Sequence, residues 1–182
     1  MIKNGLLIQM IMAKEMPFSD IDMLLTSKDE NVRAAAVEYQ NLSAEQLDRA
    51  QNDGSFIVRE AVMRNRNVTQ DNLSKALDDE AFIVRHSALG HPDIDTVNLM
   101  KALDDPEERI KLQVLRHPRV NSEHIYRALN NDQPSNIREF ILVNSNTKRE
   151  HLEYSALNDN NTRNRNIAIR RLKKLMLETQ NG

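Results

Sequence analysis

Two charged columns recur along this 182-residue chain, and they are the first residues whose types and spacing could do chemistry. A basic position reads Arg33, Arg59, Arg85, Lys111 and Arg138, with Arg165 as a sixth member. An acidic position reads Asp53, Asp79, Asp105, Asp132 and Asp159, each six residues before a member of the basic column. Aligned cations could follow a phosphate backbone, whose charges lie about 3.4 Å apart along one strand. Cations with a carboxylate at a constant offset instead build an internal ladder with little charge left over. The ladder is the stronger reading.

A second basic column reads Arg49, Lys75, Lys101 and Arg127. Each member follows an apolar position (Leu47, Leu73, Leu99, Ile125) by two residues. Two residues turn about 200° around a helix, so these cations should face solvent and form a candidate binding surface. The plain alternative is a wet helix face with local acidic partners such as Asp48, Asp78 and Asp104. A third group lies near the C-terminus, where Arg163, Arg165, Arg170, Arg171, Lys173 and Lys174 interleave with Ile167, Ile169, Leu172, Leu175 and Met176. That is an amphipathic helix. Arg170, Arg171, Lys173 and Lys174 are its candidate contacts to nucleic acid or to an acidic protein surface, against the simpler role of a capping helix with a solvated outer face.

His91 and His117 share a column with Asn65 and Asn144, and His124 and His151 form another. Equivalent positions in neighbouring helical units lie about 10 Å apart, too far to share a zinc held by bonds of about 2.0–2.1 Å. The His/Asn exchange at a helix end suggests side chains that cap free backbone carbonyls. The chain has no Cys, which excludes a disulfide framework, a thiol nucleophile and a Cys-zinc site. It carries no HExxH, glycine-rich phosphate loop or GxSxG. Phe56 and Phe82 recur at one position, as packing residues do. No catalytic residue, metal, cofactor or small-molecule substrate is expected.

The elements that must position these columns follow from their period. Val32-Arg33, Val58-Arg59, Val84-Arg85, Ile110-Lys111 and Ile137-Arg138 are separated by 26, 26, 26 and 27 residues. That interval is one pair of short helices. In the unit starting near Val84, the apolar residues Ile83, Val84, Ala88 and Leu89 mark one buried helix side. Gly90-His91-Pro92 stops the helix, Ile94 anchors the turn, and Asp95 caps a second helix that buries Leu99, Ala102 and Leu103. The N-cap column is Ser43, Thr69, Asp95, Asn121 and then Lys148, which breaks the rule. A column of small residues, Ala50, Ala76, Ala102, Ala128 and Ser155, lets helices approach closely. The expected organisation is one repeat domain over 1–182. It comprises an N-terminal capping unit at 1–29 with its turn at Pro17-Phe18-Ser19, five repeats at 30–161, and a basic C-terminal capping helix at 162–182. No stretch approaches the roughly 18 apolar residues that span a membrane. Net charge is −2, which argues against a uniformly basic nucleic-acid coat. A cytoplasmic protein with no membrane contact is expected.

Residues 83–105, IVRHSALGHPDIDTVNLMKALDD, resemble the leucine-rich repeat variant family, and IVREAVMRNRNV and IKLQVLRHPRV echo the same grammar. The resemblance covers roughly residues 30–160 and extends to HEAT-like repeats, in which an Asp–Arg ladder links adjacent units. It implies an all-α, right-handed α-solenoid and macromolecular binding, with no reaction attached. Some HEAT-like proteins are DNA glycosylases that hold bases against aromatic side chains. With no Trp, three Tyr and four Phe, this chain is poorly supplied for that. The expected function is therefore a non-catalytic scaffold, adaptor or inhibitor that binds another protein. A nucleic-acid-binding solenoid is the runner-up.

Overall fold

A computed structural model describes residues 4–13, 21–39 and 41–180. Among the described residues there are thirteen α-helices and no strand. The chain divides into two compact units, Met1–Asn98 and Leu99–Gly182. The first holds α1 (Asn4–Met12), α2 (Ile21–Leu25), α3 (Glu30–Tyr39), α4 (Ala44–Gln51), α5 (Phe56–Val62), α6 (Gln70–Ala76) and α7 (Phe82–Leu89). Helix α8 (Thr96–Ala102) runs through the division. The second holds α9 (Glu108–Leu115), α10 (Ser122–Leu129), α11 (Ser135–Val143), α12 (Arg149–Asn158) and α13 (Thr162–Gln180).

These helices are short, and isolated helices under about 12 residues are marginal in water. They persist because their ends are capped and one side is buried. Ser43, Thr69 and Asn121 each accept from the backbone N–H three residues on, and the side chain of that residue accepts from the cap's own N–H. Asp95 Oδ1 accepts from Asn98 N–H at 2.8 Å. Lys148 departs from the column, and α12 begins without a side-chain cap. At the other end of α7, the Gly90 N–H donates to His86 and Ser87 carbonyls. Gly90 has φ −78°, so it closes this helix in the right-handed region rather than by the left-handed turn that glycine often supplies.

In the first unit α1 packs on α3, α3 on α5 and α5 on α7, while α4 packs on α6. The second unit repeats this alternation, with α9 on α11, α11 on α13, and α10 on α12. The apolar columns become the core. Val32, Leu47, Val58, Leu73 and Val84 are fully or almost fully buried in the first unit, and Leu99, Ile110, Ile137 and Leu152 in the second. Full burial of such a side chain contributes about 1.5–3 kcal/mol. Ala50 and Ala76 are buried in the first unit, and Ala102, Ala128 and Ser155 in the second, where larger side chains would part the helices. Ile11 and Leu24 join Val32 and Ala36 in one apolar cluster, which ties the N-terminal helices to α3. The expected turn at Pro17-Phe18-Ser19 lies outside the described residues. Among the described residues, no helix is long and apolar enough to cross a membrane.

Candidate functional site

The buried charges form a ladder with a geometry that a six-residue offset does not give directly. Arg33 donates from Nε and Nη2 to both carboxylate oxygens of Asp53, each at 2.8 Å, and from Nη1 to the Ser27 carbonyl at 2.7 Å. Arg59 holds Asp79 in the same fork at 2.7 and 2.9 Å, and its Nη1 reaches the Asp53 carbonyl at 2.9 Å. Arg138 holds Asp159 with two bonds of 2.9 Å. Each guanidinium therefore takes the carboxylate about twenty residues downstream, a bidentate match that a planar fork favours. The residue six earlier supplies only its backbone carbonyl, as Asp79 does to Arg85 at 2.9 Å and Asp159 to Arg165 at 2.7 Å.

Each ladder aspartate also closes a turn. The Oδ1 atoms of Asp53, Asp79, Asp105 and Asp159 accept from the N–H two residues on, each at 2.8 Å. Burial works to raise the pKa of Asp53, Asp79 and Asp159. The arginine, the turn N–H and, at Asp159, Asn164 overcome it and hold all three below the usual carboxylate value. The hydrogen bonds that Arg33 and Arg59 donate to Asp53 and Asp79 in turn raise both arginines above the usual guanidinium value.

Asp132 is the member of the expected acidic column that the structure removes. Its side chain is exposed and accepts from Arg127 Nη1 at 2.9 Å. Gln133 takes the ladder position instead. It is buried, accepts from Lys111 Nζ at 2.9 Å through Oε1, and offers its carbonyl to Arg138. The rung with a neutral amide in place of a carboxylate is also the rung with Lys in place of Arg. The basic column's spacing lengthens from 26 to 27 residues here, between Lys111 and Arg138, and that is the sequence signal for the shift.

The exposed basic column is compensated. Arg49 pairs with Asp22 at 3.0 Å, and Lys75 with Asp48 at 2.9 Å and Asp71 at 3.2 Å. Arg127 bonds to Asp104 as well as to Asp132. Lys101 is half-buried in α8. On α13 the four candidate cations separate into two roles. Arg171 donates to the Leu142, Asn144 and Ser145 carbonyls, so it caps the C-terminus of α11. Arg170, Lys173 and Lys174 are exposed, and Lys174 lies 3.8 Å from Glu178.

The His/Asn column accepts from turn N–H groups, and at Asn65 the side chain also meets the expected helix-end carbonyl, donating through Nδ2 to Val37. His91 Nδ1 accepts from Asp93 N–H and His117 Nδ1 from Arg119 N–H, both at 3.2 Å. Asn65 and Asn144 accept in the same way through Oδ1 at 2.9 Å. An imidazole nitrogen and an amide oxygen are interchangeable acceptors, which is why the column alternates between them. Burial lowers the pKa of His91 and His117, and their neutral form is the one that accepts. Among the described residues, no three His, Asp or Glu side chains group as a metal site would require.

A cavity of about 490 Å³ opens in the second unit, among the end of α9 and helices α10 to α12. Leu115, Val120, Ile125, Phe140 and Ile141 supply its apolar wall. Arg116 lines it with its guanidinium 5.0 Å from the centre of the Phe140 ring. Lys148 and His151 line it from the start of α12. His151 is 3 % exposed, its pKa is lowered by burial, and its Nε2 has no hydrogen-bond partner. Sequence reading passed over this cavity, although Lys148 in an N-cap column of Ser, Thr, Asp and Asn was a visible irregularity. No protein-family model matches this chain, and no curated protein matches it at a significant level.

Proposed function

We propose that the chain is a right-handed α-solenoid of about five helical-pair repeats. It serves as a non-catalytic cytoplasmic scaffold, adaptor or inhibitor and binds another protein through the repeat surface. The resemblance to leucine-rich repeat variant and HEAT-like repeats supports the arrangement, as does the same helix alternation in each unit. The fate of the repeated charges carries the choice of partner. Arg33 and Arg59 are committed to half-buried carboxylates and Arg138 to a buried one, and Arg49, Lys75 and Arg127 to surface ones. Little positive charge is left along these columns for a phosphate backbone to follow.

Affinity capture from the native host, with and without nuclease, tests this reading. A protein partner retained after nuclease treatment, and lost on substituting exposed columns, is the expected result. The exposure of Arg170, Lys173 and Lys174 favours a second reading, nucleic-acid binding through α13. Under that reading the chain binds DNA or RNA at about 50 mM salt and loses affinity steeply as salt rises.

A further inference from the structure

The start of α12 differs from the starts of the other second helices in what it leaves unfilled. Helices α4, α6, α8 and α10 each begin on a side chain that accepts from the first turn. Helix α12, ten residues long, begins on Lys148, which cannot accept, and has no side-chain cap. The first N–H groups of a helix are free donors at the positive end of its dipole. Beside them His151, almost wholly buried, leaves Nε2 without a hydrogen bond. A buried polar atom without a partner is costly, and it marks a place where a ligand atom belongs. Lys148, at the start of this helix, and His151 both line the cavity, as does Arg116.

We infer that this cavity binds the carboxyl-terminal end of a partner polypeptide: the α-carboxylate sits at the α12 N-terminus against His151 Nε2, and the last side chain lies on the apolar wall. The inference rests on the protein-binding reading and narrows it to one partner chemistry. Charge complementarity selects a single carboxylate. Arg116 has no carboxylate partner among the described residues, and Lys148 Nζ lies 3.7 Å from Glu150. Glu150 opposes the ligand: its Oε1 is 3.5 Å from His151 Nε2 and accepts from Ser122 Oγ at 3.1 Å. Two cations against one anion leave about one positive charge, enough for one carboxylate and poorly matched to an acidic run. The Tyr126 ring meets His151 edge-on, with centroids 5.0 Å apart. A cavity of about 490 Å³ is at the lower part of the size range for small-ligand sites and fits the last two or three residues of a chain. Leu115, Val120, Ile125 and Ile141 favour an aliphatic terminal residue.

The full chain, labelled with ¹⁵N, is titrated with acetyl-Gly-Gly-Leu as the free acid, as its C-terminal amide, and with acetyl-Gly-Glu-Gly-amide. The free acid should shift the backbone amides of Arg149 and Glu150 and the His151 ring nitrogens, and bind at least about tenfold more tightly than either amide. Lys148→Asp supplies the missing cap from within, as Asp95 does for α8. It should keep the fold and abolish free-acid binding. Arg116→Gln should weaken it. Equal binding of acid and amide, equal binding of the internal glutamate peptide, or no shift at millimolar peptide overturns the site. Capture of a protein partner undiminished by Lys148→Asp also overturns it, and leaves the protein-binding reading standing.

Discussion

At the scale of single residues, the arginines of the ladder are structural because each is spent on two partners at once. Arg138 and Asp159 are 3 % and 1 % exposed at their side chains. Removing one partner strands a buried charge, which costs about 3–5 kcal/mol. Arg138→Ala and Asp159→Ala should each lower the urea midpoint by a corresponding amount, whereas Arg49→Ala, at an exposed pair, should cost at most about 1 kcal/mol. The titrating groups place two windows on stability. Asp53, Asp79 and Asp159 are held below the ordinary carboxylate value, so their contribution is complete above about pH 4 and is lost as pH falls through the depressed folded values. His91 and His117 are held neutral by burial. Stability is full above about pH 6.5 and declines below it, because the unfolded chain takes up protons first. The double variant His91→Asn, His117→Asn keeps an acceptor for each turn N–H. It should stay folded and flatten the higher window, as followed by urea midpoints from pH 8 to pH 5.

At the scale of elements, helices of seven to ten residues depend on their ends. Thr69 is a cap in a reciprocal box with Asn72, whose Nδ2 also donates to Gln51 Oε1 at 2.9 Å and so fastens α6 to α4. Thr69→Ala should cost about 0.5–2 kcal/mol, read from chemical denaturation. The same logic made the α12 start legible only in part. The sequence shows that Lys148 is the wrong residue for a cap. It does not show that a cavity and an unbonded imidazole lie beside it, because His151 and Arg116 are 35 residues apart and meet only through packing.

At the scale of the whole molecule, the proposed solenoid makes each repeat chiefly dependent on its neighbours. Deleting 82–107 joins equivalent positions, Ala81 to Glu108, and should leave an all-helical protein with a lower melting temperature by circular dichroism. Loss of helical signal in that deletion would count against the repeat arrangement. For the nucleic-acid alternative, reversing Arg170 and Lys173 should flatten the log–log salt slope by one to two, since each phosphate contact contributes about 0.7–0.9. Absence of binding by the intact chain at about 50 mM salt closes that alternative.

The period, the helical class, the apolar columns and most N-caps were determined by the sequence alone. They are local: a 3.6-residue turn decides which side chains share a face, and a cap acts within three residues of itself. Partner choice was decided by tertiary structure. Asp53 lies six residues before Arg59 and twenty after Arg33, and only the fold shows that its carboxylate goes to Arg33 and its carbonyl to Arg59. Gln133 replaces Asp132 in the ladder because a one-residue change of spacing moves which side chain faces inward. The histidine column likewise reads as polar from sequence, but whether it meets N–H or C=O depends on the turn it faces. Offsets along a chain identify residues that repeat together. Distances across packed helices identify the residues that bond.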